Sequence, residues 1–97
     1  MFHCEYHFVW VPNYRYQVLS AEIKSGLKES LVELCGWLDV SIIGGAIASD
    51  YVHMYLSVPP KNSPARVMQI LKGKSAEYLA KEFPELGKRY SGMHIWA

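Results

Sequence analysis

Residues 51–58, YVHMYLSV, constrain the fold more than any other stretch of the chain. Val52, Met54, Leu56 and Val58 alternate with Tyr51, His53, Tyr55 and Ser57. A period of two places the sets on opposite faces of a β-strand, one face apolar and the other polar and aromatic. Such a strand belongs to an antiparallel sheet covered on one side only. Pro59 and Pro60 end it, because proline cannot donate to a strand ladder. The second set therefore looks away from the covering layer. Taken alone, His53 is either a polar residue on an open face or a candidate ligand.

The neighbouring segments fit around this strand. HCEYHFVWV, residues 3–11, is rich in aromatic and β-branched types and stops at Pro12; its apolar content on both faces reads as a central strand. After a loop, Ser20 caps a helix whose apolar positions Ile23, Leu27, Leu31, Leu34 and Leu38 recur at spacings of three and four, with Gly36 near its end. LDVSIIGGAIASD follows as a second strand, in which Gly44 and Gly45 mark a bulge or a close backbone approach. Ser63 and Pro64 supply a cap and a first-position proline for a second helix. That helix turns Val67, Ile70, Leu71, Tyr78 and Leu79 inward and stops near Phe83 before Pro84. Residues 85–97 read as a loop and the opening of one more strand. The order β-α-β-β-α is the α+β, ferredoxin-like split βαβ arrangement, with an antiparallel sheet, helices on one face and an incomplete last strand.

Size and composition bound the rest. With 97 residues, 51% apolar and 20% charged, the chain reads as one domain, residues 1–97. Cys4 and Cys35 form no CxxC pair and fit a reducing compartment. No segment reaches the roughly 18–20 apolar residues that span a bilayer, so a cytoplasmic protein is expected. The net charge is only +1, yet Lys61, Arg66, Lys72 and Lys74 stand in a stretch without an acid. Such a stretch is either a solvated helix face or a phosphate-binding patch.

Three blocks in order, WVPNYRYQVL, DYVHMYLSVPP and SPARVMQILKGKSAEYLAKEFPEL, resemble successive signatures of the single-tyrosine HUH transposases of the smallest insertion sequences, the IS200-like family. The resemblance implies DNA transposition: a dimer that cuts single-stranded DNA beside hairpins at element ends and rejoins it through a phosphotyrosine. It also implies Mg²⁺ or Mn²⁺ held by two histidines that flank one apolar residue on the third strand, with a polar residue from the carboxyl-terminal region. The metal would polarise the scissile phosphate while the tyrosine relays the strand.

The chain departs from that pattern in three places. Tyr51-Val52-His53 stands where the family has His-hydrophobic-His, leaving His53 as the remnant of the metal pair. Asn13 stands where a lysine is usual. The sequence given ends at Trp96-Ala97, before the family's tyrosine-bearing helix, so no catalytic residue is assigned, metal binding is expected to be weak or absent, and cleavage impaired. His7 is a candidate neighbour of His53, if their registers agree. Arg15, Lys61, Arg66, Lys72 and Lys74 are the candidate contacts to single-stranded or hairpin DNA. A homodimer joined through the outer edge of the first strand is expected. Two other readings are a single-stranded-RNA module of the RRM type, whose glycine-aromatic signature YVHMYLSV lacks, and a sheet-mediated dimer without a nucleic-acid role.

Overall fold

The alternating segment forms the middle of the sheet. In the computed structural model, which describes residues 4–13, 19–89 and 95–96, β3 (Val52–Val58) lies between β1 (Cys4–Trp10) and β2 (Ser41–Ile47), both antiparallel to it. α1 (Ala21–Trp37) joins β1 to β2, while α2 (Pro64–Glu82) and α3 (Pro84–Arg89) follow β3. The architecture is α+β, as the periodicities require.

Val52, Met54, Leu56 and Val58 are buried, and the residues between them are half-buried. Against this face pack Leu27 and Leu31 of α1 and Val67, Leu71 and Leu79 of α2. Each such side chain removed from water stabilises the fold by roughly 1.5–3 kcal/mol before the cost of ordering it. The helices start where their caps dictate. Ser20 Oγ accepts from the Ile23 amide at 3.4 Å, and Ser63 Oγ accepts from the Arg66 amide at 3.1 Å.

Four details differ from the sequence reading. α1 runs one residue past Gly36, to Trp37, and the left-handed residue after it is Asp39, at φ 56°, a short polar type that tolerates this conformation. Pro84 opens α3 where a loop was expected; proline suits a first helical turn, and the buried Leu86 anchors that turn. β1 is not central among the described residues. Its one outer neighbour there is Trp96, bridged to Pro12, with the Asn13 amide donating to the Ile95 carbonyl at 2.6 Å. Finally, the second strand is shorter than read, and its glycines serve both suggested purposes. The register slips between Ile42 and Gly44, while Gly45 runs so close to β3 that a Cβ there would sit 2.6 Å from the His53 carbonyl oxygen.

Candidate functional site

The open face of the sheet is built by register. β1 pairs His7 with Tyr55 and Val9 with His53, and β2 pairs Gly44 with Tyr55 and Ala46 with His53. Glu5, His7, His53 and Tyr55 thus share the face away from the helices, flanked on the β2 side by residues with little or no side chain. The aromatic groups are left uncovered along that flank.

These side chains form one connected row. Tyr55 Oη donates to Glu5 Oε1 at 2.6 Å. Accepting that hydrogen bond, the Glu5 carboxylate holds the phenol above its ordinary pKa, with desolvation adding to the effect. His7 stacks face to face on Tyr55, with ring centres 4.2 Å apart and planes 11° from parallel. At its other end, His7 Nδ1 lies 3.0 Å from His53 Nε2. Those two ring centres are 5.3 Å apart with planes at 12°, nearly the greatest separation that this nitrogen contact allows. A ring nitrogen lies little more than an ångström from its own centre, so the imidazoles meet end to end in a common plane. One nitrogen carries the hydrogen and the other presents its lone pair.

The basic residues are placed elsewhere. Lys61 Nζ pairs with Asp39 Oδ2 at 2.6 Å, beside a hydrogen bond of 2.8 Å from Asn62 Nδ2 to the Leu38 carbonyl, so this segment ties the end of α1 to the start of α2. The lysine holds the Asp39 carboxyl below its ordinary pKa, through the hydrogen bond first and its charge second. Lys74 Nζ is 3.5 Å from Glu77 Oε2. On a helix of 3.6 residues per turn, Arg66 and Lys74 are about 80° apart and Lys72 is about 120° from Arg66, so the three do not line one stripe. Their helix packs on the face of the sheet opposite His53 and Tyr55. Arg15 lies outside the described residues. The structure thus assembles the aromatic row and, among the described residues, does not gather Lys61, Arg66, Lys72 and Lys74 around it.

A concavity missed in the sequence runs between α1 and β2 and is continuous with the row, since His53, Gly44 and Ala46 also line it. It has a volume of about 630 Å³ and is lined by Val32, Ile42 and Ile47, with Lys24 and Lys28 also on its wall. Val32, Ile42 and Ile43 are exposed although apolar. Only the pairing of Ile42 to β3 and the position of α1 bring them together, and neither is legible from local sequence.

Comparison with known proteins decides the family, since the model described as "Transposase IS200 like" matches residues 1–97. The chain belongs to the IS200-like transposase family. It is 37% identical over 93 residues to the transposases for insertion sequence element IS200 of Salmonella typhimurium and Salmonella typhi. That match covers 96% of the chain and 61% of the length of either Salmonella protein. It is 31% identical over 96 residues to the ISDra2 transposase TnpA of Deinococcus radiodurans, covering 99% of the chain and 69% of that protein. A crystal structure described as a transposase of Deinococcus radiodurans superposes with a TM-score of 0.90 at 31% identity, covering 99% of this chain and 74% of that one. The three sequence blocks were thus sufficient to identify the family.

Within it, Tyr51 and His53 occupy the positions that the resemblance assigns to the paired metal-binding histidines. Tyr51 is exposed at the entry to β3. No group of three or more His, Cys, Asp or Glu side chains able to hold a metal ion occurs among the described residues. His53 Nε2, a nitrogen that could bind an ion, is already engaged by His7. Among the described residues, the groups around His53 do not fit the family's Mg²⁺ or Mn²⁺.

Proposed function

We propose that this chain serves DNA transposition as a binding domain, recognising single-stranded or hairpin DNA at the ends of an insertion sequence, with metal-dependent strand cleavage impaired by Tyr51. The observation that supports this most is the uncovered row of Tyr55, His7 and His53 beside Gly44 and Ala46, on the sheet of a transposase-family fold. The ring faces not taken up by the stack of His7 on Tyr55 offer stacking surfaces to unpaired bases, each worth about 1–3 kcal/mol. Arg15, Lys61, Arg66, Lys72 and Lys74 are the phosphate contacts of this reading, in two groups: Arg15 after β1, and the others at and before α2, on the helix side of the sheet and so apart from the bases stacked on the rings.

A homodimer forms part of the same proposal, with its edge revised. Residues 95–96 return beside the exit of β1, whereas β2 has an outer edge adjoining exposed Ile42, Ile43 and Val32. Unpaired strand amides and carbonyls next to apolar surface favour a second copy at β2. Ile42→Lys should then give a monomer by light scattering; a dimer unchanged by it would return the interface to β1.

DNA recognition is tested by titrating a labelled single-stranded hairpin and a duplex of equal length across salt concentrations. The hairpin should bind more tightly, with affinity falling steeply as salt rises. Lys72→Ala combined with Lys74→Ala should reduce the logarithmic salt slope by roughly 1.4–1.8, at about 0.7–0.9 per lost phosphate contact. Equal affinity for duplex and hairpin would refute the reading, and an unchanged slope would remove α2 from the interface.

A further inference from the structure

The end-to-end contact between His7 and His53 carries a consequence for the metal position that the loss of a histidine at position 51 does not. A histidine binds a metal ion along the lone pair of a ring nitrogen, in the ring plane, at about 2.0–2.1 Å for the nitrogen ligands of zinc. Along that direction from His53 Nε2 the structure has His7 Nδ1, at 3.0 Å. An ion placed in line between the two nitrogens would need about 4 Å. The gap suits a shared hydrogen and excludes a cation. His7 is itself held there, by its face-to-face stack on Tyr55, whose hydroxyl is fixed by Glu5.

From this geometry we infer that His7 has taken the place of a metal ion as the partner of His53, so that the retained histidine is locked in a cross-strand imidazole pair. The inference rests on the family position of His53 and not on DNA binding. It makes His7 a positioning residue, reached from the neighbouring strand. It also changes what repair of the site requires: Tyr51→His supplies a second imidazole but leaves His53 Nε2 engaged. Release of His53 Nε2 is a further requirement.

The test compares Mn²⁺ binding to Tyr51→His and to Tyr51→His with His7→Phe, followed by paramagnetic broadening of the His53 ring resonances. Phenylalanine keeps the aromatic stack on Tyr55 and removes the competing nitrogen. The double variant should bind roughly tenfold more tightly, the scale set by losing one competing hydrogen bond. Equal affinities, or no binding by the double variant, would overturn the inference. A second measurement uses the unaltered chain: nitrogen-nitrogen coupling across the hydrogen bond should link His7 Nδ1 to His53 Nε2 and persist in excess Mg²⁺. Its absence, or stoichiometric Mn²⁺ binding by the unaltered chain, would equally overturn it. Hairpin binding is read separately, so failure there would remove the proposed function and leave this result standing.

Discussion

The two adjacent glycines of β2 make opposite demands, and the difference can be measured. A Cβ added at Gly45 would lie 2.6 Å from the His53 carbonyl oxygen and 3.3 Å from Met54 Cα, whereas one added at Gly44 meets nothing within 4 Å. Both obstructing atoms belong to the backbone of the central strand, so relief requires β2 to move. Reaching the 3.0–3.4 Å range of tight contacts takes a shift of about 0.4–0.8 Å. Forcing such a shift on a packed element costs about 1–3 kcal/mol. Alanine otherwise gains roughly 0.5–1 kcal/mol over glycine in a strand, because it has less backbone freedom to lose. Gly45→Ala should therefore destabilise by about 0.5–2 kcal/mol, and Gly44→Ala should stabilise by about 0.4–1 kcal/mol. The contrast between the two variants is about 1–3 kcal/mol, and the entropy gain common to both cancels from it. At about 4–8 °C per kcal/mol for a domain near this size, their thermal midpoints should differ by roughly 5–20 °C. Urea unfolding provides the check on two-state behaviour. Coincident melts for the two variants would refute the close approach of β2 to β3 at Gly45.

Three further outcomes follow from buried and paired groups. Trp96 Nε1 donates to Ser75 Oγ at 3.0 Å in the core, so Ser75→Ala should cost about 1–3 kcal/mol by urea titration, and adding Trp96→Phe should cost less than the single losses summed. Burial pushes the Cys35 thiol up to about 11, so Cys4, which is exposed, should be alkylated in the native protein at pH 8 and Cys35 only after unfolding; equal rates would contradict the buried position. Asp39 titrates below its unfolded value because of Lys61, so the pair's small stabilisation is present above that value and is lost as pH falls through the lowered one. Lys61→Ala should return the Asp39 carboxyl toward its ordinary range in an NMR titration, and an unmoved midpoint would show that the pair does not persist in solution.

Legibility depended on the range of the interaction. The alternation in YVHMYLSV gave the buried set correctly because the pleat is a local property, and Ser20 and Ser63 gave the helix starts because caps are local too. α3 was missed since Pro84 serves equally to stop one helix and to open another. The meeting of His7 with His53 could only be posed as a question, because one residue of slip would have turned His7 into the core. For Arg66, Lys72 and Lys74 the helical phase was legible as well, since their spacing alone spreads them around α2.

The thin covering of β2 has a consequence for how the molecule opens. In a single copy, and among the described residues, its ladder runs to β3 alone, most of its residues are exposed, and two of its seven are glycines. Strands with few buried contacts exchange their amide hydrogens through partial opening, well below the free energy of global unfolding. β3, paired on both sides and buried along one face, should instead protect its amides until the whole domain unfolds. The sheet of a single copy therefore has a slow-exchanging spine and a fast-exchanging margin, and that margin is the one beside His53 and Tyr55.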